Sequence, residues 1–212
     1  MKTAVVIGAS GLVGSLLTKQ LLQSSHYGKV VLLNRKASGL SHVKLQEKQI
    51  DFDAPDLTDV QADDVYCAIG TTLKKAGSKE AQYKIDCLYP ARLAGLLLKQ
   101  GATRFLLVSS IGANAQSGNF YLRTKGELEQ QLMALKFPSL VIVRPSFILG
   151  EREEFRAGEK IGIVLMKVFS PLLLGGLKKY RGVEATAIAA CLIQQAVSGQ
   201  NGTLILESDQ IR

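Results

Sequence analysis

Two rhythms of apolar and polar positions alternate along the chain. Short, almost uninterrupted apolar runs occupy residues 3–7, 30–33, 65–69, 105–108 and 140–143, and a less pure one falls within 44–52. Between them lie longer stretches with apolar residues three and four apart, at 12–24, at 80–99 ending near Gly101, and at 121–135. Runs that are apolar at successive positions predict strands buried on both faces, and the spaced stretches predict amphipathic helices. A last strand is expected over 203–207. Strands alternating with helices predict an α/β protein with a doubly wound parallel sheet. Neither a repeat nor a linker interrupts the 212 residues, so a single domain spanning 1–212 is expected, with only a small substrate-side lobe at about 150–182.

Composition narrows the class. The apolar fraction of 47% and charged fraction of 21% are those of an ordinary folded domain. Lys167 and Pro171 break the most apolar segment, 161–174, so no membrane span is expected and that segment reads as core or a subunit contact, with a homo-oligomer a possibility. The first apolar run is short and interrupted by Gly8, which argues against a secretion signal and makes a cytoplasmic protein the expectation. Three scattered cysteines, Cys67, Cys87 and Cys191, have no metal-like spacing and read as reduced thiols. His26 and His42 have no ligand partners in sequence, so no metal site is expected. The formal charge is +8, which favours anionic ligands. Its lysines and arginines are dispersed, including in the run 151–160, and there is no Trp, so nucleic acid is not the expected partner.

One anion site is legible at the first strand–helix junction. Gly8, Gly11 and Gly14 follow the first strand and open the first helix. Gly8 permits a sharp turn, Gly11 lets backbone approach a pyrophosphate, and Gly14 lets the helix lie close on the sheet. The helix start at Leu12 and Val13 offers free N–H groups to that anion, and Ser10 adds a hydroxyl. At the end of the second strand, where NAD binders carry an acidic residue, stand Asn34, Arg35 and Lys36. A guanidinium grips a 2′-phosphate that a carboxylate would repel, so NADP(H) is the expected cofactor. Asp51 is a candidate for the adenine amino group, with Phe52 beside the ring. After the fourth strand, Ala68 and Gly70 leave room for the cofactor, and Thr71 and Thr72 offer hydroxyls.

Two further segments supply chemistry. The fifth strand ends at Ser109-Ser110, and Tyr121 and Lys125 stand four apart on the following helix, neighbours on one face. A phenol ordinarily titrating near 10 is a poor proton donor or acceptor at neutral pH, and a nearby ammonium favours its ionised form. Tyr121 is therefore the candidate acid–base group, Lys125 its tuner and a holder of the nicotinamide ribose, and Ser110 the group that orients a substrate oxygen.

These motifs, with "GASGLVG", "CAIGTTLKKAGSKEAQYKID", "YLRTKGELE" and "VRPSFILGEREE", resemble the atypical, extended-like short-chain dehydrogenases/reductases, and among them the Tat-interacting-protein-like NADP-binding oxidoreductases. The resemblance implies a Rossmann-type fold and an NADP(H)-dependent oxidoreductase that transfers hydride to or from a small carbonyl or alcohol substrate. It also permits an NADPH-binding regulatory protein with little turnover. By the same resemblance Pro145, Ser146 and Phe147 lie where backbone meets the nicotinamide carboxamide. Asp86 stands where many relatives carry a proton-relaying Asn, a departure that puts the relay in question. The large carboxy-terminal substrate domain of the sugar epimerases is lacking, which disfavours a bulky nucleotide-sugar substrate.

Overall fold

The computed structural model describes residues 1–150 and 175–211. Its strands are β1 (Lys2–Ile7), β2 (Tyr27–Asn34), β3 (Leu45–Gln49), β4 (Asp64–Cys67), β5 (Arg104–Val108), β6 (Ser139–Arg144), β7 (Ile148–Leu149), β8 (Val183–Glu184) and β9 (Gly202–Glu207). Its α-helices are α1 (Leu12–Gln23), α2 (Leu73–Ala76), α3 (Lys79–Tyr83), α4 (Tyr89–Lys99), α5 (Phe120–Ala134) and α6 (Ala185–Val197). Seven strands form one sheet in the order β3-β2-β1-β4-β5-β6-β9, and each pairing is parallel. The expected doubly wound α/β architecture is the one observed.

Burial on both faces explains the continuous apolar runs. Successive side chains of a strand point to opposite faces. Accordingly Ala4 and Val6 of β1 join one core with Leu17 and Leu21 of α1 and Ile188 and Leu192 of α6. Val5 and Ile7 join the other, with Leu93 and Leu97 of α4 and Leu128 and Leu132 of α5. Strand order reverses between β1 and β4, so the chain leaves these neighbours in opposite directions and opens a crevice at their carboxyl ends. The glycine turn after β1 sits at that crevice.

The structure departs from the sequence expectations at identifiable places. The helix expected over 80–99 is in three parts: α3, a π-helical turn at Lys84–Leu88, and α4. Pro90 is the cause, because its ring has no N–H and crowds the carbonyl of Asp86 in a regular helix. The wider turn relieves that contact, and Tyr89 N–H donates five residues back to Lys84 O. The third strand is shorter than the expected run, ending at Gln49. Helix α6 fills a stretch left unassigned by pattern. Most of the lobe expected at about 150–182, including the charge run 151–160 and the apolar segment 161–174, lies outside the described residues. Its two borders, β7 and β8, pair with each other.

Candidate active site

The glycine turn divides its three glycines by what they face. Gly8 has φ of +89°, and a β-carbon there would lie 2.7 Å from Ile69 N. A β-carbon on Gly14 would lie 2.1 Å from Gly8 O, so any side chain forces α1 away from the turn. Gly11 is different: its nearest neighbour would be Gly8 O at an ordinary 3.4 Å. The fold itself needs bare backbone at 8 and 14, while at 11 the bare face is turned outward. Helix α1 starts there without a side-chain cap and without an acidic residue in its first turn. Its first N–H groups are the uncompensated donors that suit an anion. The side chains of Leu12 and Val13 pack into the core, leaving their backbone to the crevice, and Ser10 is exposed on the turn. These features fit the phosphates of a dinucleotide.

Around the turn, Asn34 is half-buried and its carbonyl accepts from Ile50 N–H at 2.9 Å. Arg35 and Lys36 are exposed, and among the described residues no carboxylate pairs with Arg35. Asp51 is exposed, with Oδ1 accepting from Asp53 N–H at 2.9 Å. Phe52 is only 7% exposed and packs its ring against Tyr89 in the core, so the ring expected beside adenine is occupied in packing. Across the crevice Ala68 continues β4, Gly70 is exposed, and Thr71 N–H donates to Asp86 Oδ1 at 2.7 Å. Thr72 caps α2 by accepting from Lys75 N–H.

Tyr121 and Lys125 stand on α5, and the serine pair directly follows β5, the strand before it. Asn119 caps α5 by accepting from Leu122 N–H at 3.2 Å, so Tyr121 falls in its first turn. Lys125 follows one turn later, 3% exposed, with Nζ 6.0 Å from the centre of the Tyr121 ring. Burial alone would lower the pKa of Lys125. Tyr121, Asp86, Cys67 and Cys87 outweigh that, and the ammonium is held above the ordinary lysine range. The β5–α5 loop is pinned to the helix by Asn114 N–H donating to Leu122 O at 3.1 Å.

The serine pair divides its work. Ser109 is buried and donates to Glu129 Oε1 at 2.5 Å. Glu129 in turn accepts from Arg144, which also reaches Glu207, so Ser109 belongs to a bracket joining α5, β6 and β9. Ser110 is half-buried, and among the described residues its hydroxyl has only a long contact, 3.3 Å, to Ile111 O. It is the serine with a hydroxyl to offer. Ile111 N–H donates to Pro145 O at 3.0 Å, which brings the buried Pro145 beside the serine turn. Ser146 is held by Ser208 and by Arg181 O, and Phe147 is exposed.

Sequence reasoning missed Gly126. A β-carbon there would lie 2.2 Å from Ala115 N, so this glycine lets the serine loop close onto α5 beside Lys125. A glycine inside a helix costs up to about 1 kcal/mol, and that cost was the available signal. Among the described residues no group of His, Cys, Asp and Glu side chains is arranged to hold a metal, and no helix is long and apolar enough to cross a membrane.

A uncapped helix behind a glycine turn, at the switch point of a parallel sheet, defines a dinucleotide-binding α/β domain with a Ser–Tyr–Lys set at its carboxyl edge. Residues 4–181 match the NAD dependent epimerase/dehydratase family, and the chain belongs to it. Its kinship is with the atypical short-chain dehydrogenases/reductases: it is 31% identical to the rat protein HTATIP2, over 99% of this chain and 88% of that one. It is 35% identical to the protein FMP52-1, mitochondrial, of Scheffersomyces stipitis, over 92% and 89% of the two chains. Among solved structures, MoeE5 in complex with UDP-glucose and NAD superposes with a TM-score of 0.73 at 16% identity, over 96% of this chain and 75% of that one. The cytoplasmic expectation is corrected by these relatives. Several fungal ones are named as mitochondrial proteins, so the names of the relatives do not support it. That expectation rested on the lack of a recognisable signal, and a missing signal carries no address.

Proposed function

We propose that the protein is an NADP(H)-dependent oxidoreductase of the short-chain dehydrogenase/reductase type, acting on a small carbonyl or its alcohol. The observation that carries this reading is the buried Lys125 ammonium, 6.0 Å from the centre of the Tyr121 ring and close to Gly70 on the turn after β4. Bound NADP(H) would supply or accept the hydride. The residues that would hold it are Gly8, Ser10, Gly11, Leu12, Val13 and Gly14 at the phosphates, Asn34 and Arg35 at the 2′-phosphate, and Asp51 with the backbone of Phe52 at adenine. Ala68, Gly70, Thr71, Lys125, Pro145 and Phe147 would line the nicotinamide half. The preference for NADP(H) over NAD(H) rests on Arg35, a guanidinium without a carboxylate partner among the described residues.

In the chemical step Ser110 Oγ donates a hydrogen bond to the substrate oxygen and orients it. Tyr121 gives that oxygen its proton in reduction and takes it back in oxidation. The ammonium of Lys125 stabilises the phenolate left behind. Residues 150–182 are the proposed substrate-side lobe.

Calorimetry with NADPH, NADP⁺, NADH and NAD⁺, followed by a screen of aldehydes, ketones and quinones for NADPH consumption, tests the reading. Micromolar NADPH binding with consumption on at least one carbonyl class is expected. Absence of heat with every dinucleotide at millimolar supply overturns the binding site. Tight binding with silence across the screen overturns the enzymatic step.

A further inference from the structure

Lys125 is nearly as buried as a core leucine, and an isolated ammonium in such a place is strongly disfavoured. Something must balance it. Four ionisable side chains face it: Tyr121 from its own helix, Asp86 and Cys87 from the π-helical turn, and Cys67 from the end of β4. By residue type, a phenol and two thiols are ordinarily neutral at pH 7 and a carboxyl is ordinarily charged. For Cys67 burial pushes the thiol further up, to about 11. The carboxylate of Asp86 is fully buried. The two approach one point without a direct ion pair: the position a β-carbon on Gly70 would take lies 3.6 Å from Lys125 Nζ and 3.8 Å from Asp86 Oδ1. The same oxygen accepts from Thr71 N–H, and Gln82 Nε2 reaches the other at 3.5 Å.

We propose that Asp86 is a positioning residue of the Ser–Tyr–Lys site: its carboxylate is the buried countercharge of Lys125 and, through the Thr71 amide, ties that ammonium to the turn that passes the cofactor. This deepens the oxidoreductase reading and rests on it for the roles of Lys125 and of the turn. A neutral Asn at position 86 would keep an acceptor for Thr71 but could not balance the lysine. The π-helical turn is then more than a response to Pro90. It delivers Asp86 inward at the level of Gly70, and such turns recur at functional sites.

A double-mutant cycle on the full chain tests this without a substrate. Melting temperatures are measured for the wild type, Asp86→Asn, Lys125→Met and the double variant, each at pH 7 and at about pH 9.5. Asp86→Asn should melt on the order of 10 °C lower at pH 7, because it strands a buried ammonium. The double variant should melt close to Lys125→Met. Tyr121, Cys67 and Cys87 are present in all four proteins and cancel.

The pH arm separates a charge role from a packing role. With its countercharge, Lys125 titrates above the ordinary lysine value, so its contribution is undiminished up to about pH 9.5 and falls only at higher pH. Without it, burial carries the folded-state value below the ordinary one, and the unfolded chain then binds more protons. Stability of Asp86→Asn should therefore rise between pH 7 and about pH 9.5 relative to the wild type, and the double variant should lose that rise. Effects additive within about 2 °C, with no such rise, overturn the proposal. If Asp86→Asn does not fold, recovery of folding in the double variant supports the pair, and a double variant that is also unfolded overturns it. NADPH calorimetry on the wild type runs in parallel. Non-additivity in a protein that binds no dinucleotide would leave the pair standing and overturn the functional reading instead.

Discussion

At the amino edge of the sheet Asp64 is fully buried, and its carboxylate is closed on every side by the protein's own groups. Tyr27 O–H donates at 2.6 Å, Arg104 at 2.7 Å and Lys2 at 3.3 Å, while Tyr66 hydrogen-bonds Tyr27 and Ser139 accepts from Arg104. Burial there pushes the pKa of Tyr27 and of Tyr66 far up, so both stay neutral phenols. A hollow of about 430 Å³ adjoins this edge, and three of its lining residues, Lys2, Tyr27 and Asp64, are already bonded to one another. At the carboxyl edge the arrangement is open. Lys125 and Asp86 are buried, yet among the described residues the face of Gly11, the uncapped start of α1, the guanidinium of Arg35 and the hydroxyl of Ser110 have little to bond. A polar group that the fold satisfies internally works for stability, and one left with spare capacity works for a ligand. Tyr27 and Tyr121 are the same residue type on the two sides of that division.

The largest expected effect lies on the open side. Tyr121→Phe should cost on the order of 10²–10⁴ in turnover with any carbonyl found in the screen, while NADPH affinity changes less than about threefold. Turnover surviving nearly intact would remove Tyr121 from the chemistry. On the closed side, Asp64→Ala strands the buried Arg104 and should cost about 3–5 kcal/mol, read as a melting temperature lower by roughly 10 °C. Lys2, at 45% exposure, contributes little to that sum. The folded fraction should bind NADPH as the wild type does. A loss of affinity greater than about tenfold there would break the separation of the two edges.

The same division governs what could be read from sequence. The sheet was legible because both of its faces are buried, which writes strands such as β1, β2 and β5 as apolar runs. The glycine turn and the Tyr–Lys spacing were legible because they are local. The bracket of Ser109, Glu129, Arg144 and Glu207 was not, since it joins residues up to 98 apart in number that only folding brings together. Helix α6 escaped because it carries none of the usual end signals: no side-chain cap, no acid in its first turn and no base in its last. Phe52 was read for its position beside a strand end, and its burial against Tyr89 is a tertiary fact. Asp86 was visible only as a departure from relatives; its neighbours come from two other segments, Gly70 and Thr71 from the turn after β4 and Lys125 from α5.

Within the glycine turn itself the two edges' rule can be tested one residue at a time. Gly14→Ala drives a β-carbon into Gly8 O and should cost about 3 kcal/mol or more, lowering the melting temperature by about 6–12 °C. Gly11→Ala meets no such contact and should melt within about 3 °C of the wild type, yet weaken NADPH binding by about tenfold or more by filling the face a pyrophosphate needs. If Gly11→Ala binds NADPH as well as the wild type, the anion does not lie there.

The effect expected to be smallest on stability is the most selective. Arg35 is exposed and has no carboxylate partner among the described residues, so replacing it should leave stability within about 0.5 kcal/mol. Arg35→Asp exchanges a group that attracts a 2′-phosphate for one that repels it. NADPH affinity should fall about ten- to a hundredfold, and NADH affinity should change by less than about threefold, because NADH carries a hydroxyl at that position. The ratio of the two losses is the measurement, since it cancels general damage to the site. Equal losses would mean that Arg35 supports the cofactor without reading its phosphate. The open edge would then be tuned for a dinucleotide but not for which one.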